Sequence, residues 1–79
     1  MNHELDLTGY NCPLPVLKTK KFLALLEVGD IVRVITTDPA SKDDLADFCI
    51  KTGHILLEQF EQKNTVFTII KKNQLLNKV

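Results

Sequence analysis

The run Cys12-Pro13-Leu14-Pro15 sets a thiol beside two prolines, a grouping that points to nucleophilic sulfur chemistry at a helix start. A residue before proline is pushed out of the helical region toward extended geometry. Cys12 is therefore expected as the N-cap of a helix, with Pro13 at the first helical position, where its missing N–H is harmless. Pro15 falls within the same first turn, where no intrahelical acceptor awaits the donor it lacks. The sulfur would then lie beside the positive end of the helix dipole, which favours the thiolate. A thiol of ordinary pKa, near 8.5, is only about 3% ionised at neutral pH, so a fall to about 7 would raise the nucleophilic fraction roughly tenfold. Pro15 limits the gain, because an N-cap side chain accepts from the second or third helical N–H and only that of Leu14 is present. The expectation is a moderate lowering of the Cys12 pKa, helped by Lys18. Ser, Thr or Asp would cap better than Cys, so a plain structural role explains Cys12 poorly.

The other chemistry-bearing residues have simpler readings. Cys49 shares a helical stripe with Leu45 and Phe48 and reads as a small buried hydrophobe, without the Cys-x-x-Cys spacing of a redox pair. His3 and His54 are isolated, and nothing at metal-ligand spacing joins them to a cysteine, so neither metal nor cofactor is expected. Capping and first-turn dipole complementarity account for Asp38 and Asp44. Lys18, Lys20 and Lys21 form a basic run without interleaved aromatics, which reads as a solvated face rather than an RNA contact.

Around these residues the pattern predicts six elements. Leu5 and Leu7 alternate with Glu4, Asp6 and Thr8 in a first strand ending at Gly9. A helix runs from Pro13 to about Val28, with Val16, Thr19, Phe22, Leu23 and Leu26 on its inward stripe, and Gly29 stops it. Ile31 to Thr37 is a second strand with Val32 and Val34 toward the core and Arg33 on the wetter face. A second helix begins in the stretch from Asp38-Pro39 to Ser41, where two caps compete, and buries Ser41, Leu45, Phe48, Cys49 and Thr52 before Gly53. Strands from about His54 to Glu61 and from Thr65 to Lys71 follow, joined by a Lys63-Asn64 turn. The order β-α-β-α-β-β, with right-handed crossovers, puts both helices on one face of a four-stranded mixed sheet in a two-layer α/β sandwich. The other sheet face is left bare, and Ile31, Ile35 and one of Ile69 and Ile70 should point to it.

Composition bounds the function. A chain of 79 residues with 44% apolar and 25% charged content is read as one globular domain over 1–79 with short frayed ends. Ten basic residues balance ten acidic ones, so no overall field draws the chain to nucleic acid or anionic lipid. The longest apolar run, Phe22 to Leu26, falls far short of the roughly 20 residues that span a bilayer, and no basic-then-apolar export signal opens the chain. A cytoplasmic location without membrane attachment is expected, and reducing conditions there disfavour a Cys12–Cys49 disulfide.

Leu5-Asp6, Gly9, Cys12-Pro13-Leu14-Pro15-Val16, Gly29, Asp38-Pro39, Asp44-Leu45, Phe48-Cys49 and Gly53-His54 resemble the TusA (SirA-like) sulfur-carrier family in order and spacing. The resemblance covers nearly the whole chain and implies a two-layer α/β sandwich. It also implies that Cys12 accepts sulfane sulfur as a persulfide, with Pro13, Leu14 and Pro15 shaping its surroundings. The implied donor is a cysteine desulfurase or a rhodanese-type protein, and the implied acceptor a downstream protein such as a DsrE-like one. Thiolation of tRNA, molybdenum-cofactor assembly and sulfur oxidation are the routes the family serves. Such a chain is a carrier acting with partner enzymes rather than an autonomous enzyme. A thiol redox or regulatory protein using Cys12, and a non-catalytic interaction or RNA-binding module, are the competing classes.

One further surface follows from the helical wheel. Leu14, Leu17 and Leu25 project from the outer side of the first helix among Lys18 and Lys21, beside Cys12. A sulfur relay needs proteins to dock next to the thiol, and this patch is the expected docking face.

Overall fold

Strands alternate their side chains between two faces and helices gather theirs on a stripe, so this sequence can bury one surface of each element against the other. The computed structural model describes residues 2–73, in the order β1 (Asn2–Leu7), α1 (Leu14–Ala24), β2 (Ile31–Thr36), α2 (Ser41–Thr52), β3 (Ile55–Gln62) and β4 (Thr65–Lys71). The ends expected to fray include Met1 and residues 74–79, which lie outside the described residues.

The sheet order is β1-β2-β4-β3, with β1 parallel to β2 and the remaining pairs antiparallel. Leu23 of α1 and Leu45, Phe48 and Cys49 of α2 meet Leu7, Val32, Val34 and Ile70 of the sheet in the core. Both helices therefore cover one face, giving the expected two-layer sandwich with a mixed sheet. The bare face carries Ile31, Ile35, Phe67 and Ile69, each half-buried. Phe60 stacks on Phe67 with ring centroids 4.9 Å apart, and Arg33 lies over Phe67 while pairing with Glu4 across the β1–β2 register. Of the two candidate isoleucines it is Ile69 that faces this side; Ile70 is fully buried beneath the helices.

Several boundaries differ from the periodicity. The first helix ends at Ala24 rather than near Val28. The Lys72 ammonium donates to the carbonyls of Leu23, in the last turn, and of Leu26, just beyond it, at 2.6 and 2.9 Å. A turn then follows, in which the Asp30 N–H donates to the Glu27 carbonyl and the Gly29 N–H to that of Lys72. The second helix ends as expected, with Gly53 at φ 89° and its N–H on the Cys49 carbonyl, a left-handed residue that glycine adopts without strain. His54 is not in a strand; it is buried, and its Nδ1 accepts from the Asn73 N–H. Lys63 and Asn64 both have positive φ, the geometry of a tight two-residue hairpin turn. Leu57 is an extra residue in β3, since Leu56 pairs with Ile70 and Glu58 with Ile69.

The second helix begins at Ser41, and Asp38, the first expected cap, accepts the Ala40 N–H on Oδ1 at 3.2 Å and the Ser41 N–H on its carbonyl at 3.0 Å. Ala40 itself supplies no side-chain cap, and the Ser41 hydroxyl donates to the Asp38 carbonyl at 2.7 Å. A serine hydroxyl has one hydrogen, so the buried Thr36 hydroxyl must be the donor in the 2.5 Å contact between Thr36 Oγ1 and Ser41 Oγ. This chain of hydroxyls ties the end of β2 to the start of α2 and fixes the loop bearing Asp38.

Candidate functional site

Because β1 and β2 are adjacent and parallel, their C-terminal ends lie side by side and so do the loops that follow them. The two loops are joined directly. The Gly9 N–H donates to Thr37 Oγ1 at 2.9 Å, and the Cys12 N–H donates to Asp38 Oδ2 at 2.5 Å. Gly9 holds φ 87°, which lets the first loop turn back over the second. Leading into α1, the Leu14 N–H donates to the Asn11 carbonyl at 2.9 Å and the Leu17 N–H to the Pro13 carbonyl at 3.2 Å.

Pro13, not Cys12, is the residue flanking α1, and no side chain caps the helix. The Cys12–Pro13 peptide is cis. Cys12 sits one residue further out than expected, and the Leu14 N–H expected to donate to its sulfur donates to the Asn11 carbonyl instead. The expected dipole contact is absent for that reason.

The exposed sulfur points instead to α2. Cys12 Sγ lies 3.1 Å from Asp44 Oδ2, in the first turn of that helix. An ionised carboxylate only accepts, so the thiol is the donor and its hydrogen lies between the two. The direction of the pKa shift is the reverse of the expected one. The hydrogen bond to Asp44 raises the Cys12 pKa above the ordinary thiol value, and partial desolvation and the negative charges of Asp44 and Asp38 push it the same way. Among the described residues neither carboxylate is in an ion pair. Lys18, expected to help the thiolate, has its ammonium over the Tyr10 ring at 4.7 Å.

The remaining site residues separate into a support and a ridge. Pro15 is buried at the foot of α1, while Pro13 and Leu14 stay at the surface. Leu14, Leu17 and Leu25 are 43%, 48% and 81% exposed along the outer ridge of α1. A shallow groove on one flank is bordered by Tyr10, Lys18, Lys21 and Leu25. On the other flank, Pro13, Val16, Leu17 and Lys20 face Asp44 and Phe48 across the gap between the helices. Cys49 is 2% exposed in the core, and burial pushes its thiol up to about 11. Among the described residues no His, Cys, Asp and Glu grouping has the arrangement of a metal site.

Sequence reasoning gave Asp38 and Asp44 only a capping and first-turn role and did not single out Tyr10; all three border the candidate site. The signal for the carboxylates was topological: two parallel crossovers bring both helix starts to one end of the sheet, and with them the acidic first turn of α2.

With this geometry in view, the sequence profile of the family described as sulfurtransferase TusA matches residues 3–72. The chain belongs to the TusA family. It is 42% identical over 72 residues to the sulfur carrier protein TusA of Allochromatium vinosum, covering 91% of this chain and 95% of that one. To the sulfur carrier protein TusA of Pseudomonas entomophila it is 43% identical over 68 residues, covering 86% and 85%. A crystal structure of a SirA-like protein from Desulfitobacterium hafniense superposes with a TM-score of 0.78 at 28% identity, over 91% of this chain and 99% of that chain. The fold is the SirA/TusA-like α+β sandwich that the resemblance implied. No described helix is long and apolar enough to cross a membrane.

Proposed function

We propose that this chain is a sulfur carrier that takes up sulfane sulfur on Cys12 and passes it on. The observation that carries the reading is a single exposed thiol, in the Cys-Pro-x-Pro element of a TusA-family chain, standing where two loops and two helix starts converge. Loading is a thiol–persulfide exchange. Cys12 loses its proton to solvent, and its sulfur attacks the outer sulfur of a donor R–S–SH. The Cys12 Sγ–S bond forms as the donor S–S bond breaks, and the electron pair leaves with R–S⁻, which takes a proton from solvent. The sum, Cys12–SH plus R–S–SH giving Cys12–S–SH plus R–SH, needs no outside oxidant or reductant. Delivery is the same exchange run toward an acceptor thiol.

A carrier requires a donor and an acceptor, and a cysteine desulfurase or rhodanese-type protein and a DsrE-like protein fit those roles. The outer ridge of α1, with Leu14, Leu17, Lys18, Lys21 and Leu25, is the docking face, since it is exposed and runs from the thiol. The pathway supplied is tRNA thiolation, molybdenum-cofactor assembly or sulfur oxidation, in the cytoplasm. A redox partnership of Cys12 with Cys49 is disfavoured by the burial and raised pKa of the latter.

Intact-protein mass spectrometry after incubation with a cysteine desulfurase and cysteine tests the reading. The expected result is a one-sulfur adduct that reductant removes and that Cys12→Ser abolishes. An intramolecular disulfide without added sulfur, or loading retained in Cys12→Ser, would overturn it.

A further inference from the structure

Reactive cysteines are usually activated by a neighbouring cation or helix N-terminus, which draws the proton off. Here the sign is reversed. The Cys12 sulfur donates its hydrogen to Asp44 Oδ2 at 3.1 Å, while the Cys12 backbone is clamped to Asp38 Oδ2 at 2.5 Å. Both contacts hold the residue against α2 and its preceding loop, and both place negative charge where a thiolate would form.

Among the described residues, the charged groups around the sulfur make no ion pair with either carboxylate. From α2 and its loop come Asp44 and Asp38. From α1, Lys18 is engaged on Tyr10, and Lys20 borders the inter-helix groove without bonding either carboxylate. Lys51, across that groove, is paired with Asp47 at 2.9 Å. Among the described residues, then, no cation is in ion-pair contact with Asp44, and a partner that presents one there would change the state of the thiol.

Resting on the carrier reading, we propose that Asp44 is a positioning residue that keeps the Cys12 sulfur of the free carrier in its hydrogen-bearing, resting form, and that a cationic group of the sulfur donor, set against Asp44, frees it to react. In the complex the carboxylate stays ionised and pairs with the donor's cation, the thiol proton passes to solvent, and the exchange written above proceeds. A free carrier is thereby protected from unselective electrophiles, and donors presenting positive charge beside their reactive sulfur are selected. The raised Cys12 pKa agrees with the resting state.

The test uses the full chain and small probes, so it needs no donor protein. The rate of Cys12 alkylation by neutral iodoacetamide is measured against pH for the parent, Asp44→Asn and Asp38→Asn. Asp44→Asn should move the profile to lower pH. A thiol pKa lower by one gives about tenfold more thiolate and about threefold lower intrinsic nucleophilicity, a net gain near neutral pH of roughly threefold. Asp38→Asn should move the profile less. In a second arm, exchange with cystamine, a dicationic disulfide, is compared with exchange with dianionic dithiodiglycolate. The parent should prefer cystamine by roughly tenfold or more at low salt, and Asp44→Asn should lose most of that preference. Coincident pH profiles for parent and Asp44→Asn, or equal rates with the two disulfides, would overturn the proposal while leaving sulfur loading intact. Failure of loading by a desulfurase with the Asp44 effects present would overturn the carrier reading alone.

Discussion

Thr36 Oγ1 and Ser41 Oγ lie 2.5 Å apart, both buried, and this contact spans the loop that carries Asp38. It links the last residue of β2 to the first of α2, so the position of both carboxylates near Cys12 depends on it. Ser41→Ala should leave the Thr36 hydroxyl without its partner and lower stability by about 1–3 kcal/mol. It should also loosen Asp38 and Asp44 and bring alkylation of Cys12 closer to that of an ordinary thiol. Urea unfolding and alkylation rate check the pair of outcomes; unchanged stability would mean that the hydroxyl chain contributes nothing.

Cys49 should behave oppositely to Cys12. Cys49→Ser places a hydroxyl among Leu45, Phe48 and Ile70, and the lost packing and unmet hydrogen bond should lower stability by about 1–3 kcal/mol. Sulfur loading of Cys12 should persist in that variant under native conditions. Loss of transfer at undiminished stability would give Cys49 a direct part in the chemistry.

The ridge of α1 allows docking to be separated from thiol reactivity. A leucine side chain fully buried against a partner contributes roughly 1.5–3 kcal/mol, so Leu17→Glu should slow protein-to-protein sulfur exchange by about tenfold or more. Alkylation of Cys12 by a small neutral reagent should be nearly unchanged. Lys21→Glu should act more mildly, with a defect that shrinks as salt rises. Wild-type exchange in both variants would move docking to another face.

Acid sensitivity should trace to His54. Burial, with a smaller effect of the Lys72 charge, holds its pKa below the ordinary 6.5. The unfolded chain then binds the proton more readily, so stability is present above 6.5 and falls as pH drops through that value toward the lower folded one. Asp6 and Asp30, whose pKa values are lowered below 3.8, contribute losses only at much lower pH. Urea unfolding at about pH 7.5 and about pH 5.5 should show the fall, and His54→Gln should flatten it. A His54→Gln protein as acid-sensitive as the parent would place the effect elsewhere.

Local patterns were legible where local physics decides. The alternation at Val32 and Val34, the stripe through Leu45, Phe48 and Cys49, the left-handed Gly53 and the Lys63-Asn64 turn all follow from residues within a few positions of one another. What the pattern missed depends on distant partners. The first helix ends at Ala24 in a tighter turn, the Leu25 and Leu26 N–H groups donating to the Phe22 and Leu23 carbonyls, and Lys72, 46 residues beyond Leu26, binds the carbonyls exposed there. Cys12 was readable as the reactive residue, but its partner Asp44 is 32 residues away, and the same aspartate satisfied every local test for a first-turn acid. The sign of the thiol's pKa change therefore could not be obtained from the Cys-Pro-Leu-Pro run alone.

The extra residue at Leu57 bears on how this chain behaves at high concentration. β3 is an outer strand with Ile55, Leu56 and Leu57 all exposed, a combination that invites edge-to-edge pairing and aggregation. The irregularity between Leu56 and Glu58 interrupts the strand inside that apolar stretch. A bulge of this kind twists an edge away from a straight template, so a second copy laid along β3 meets a broken row of N–H and C=O groups rather than a continuous one. The interruption falls where the edge is most apolar, which is where a continuous template would be most prone to pair.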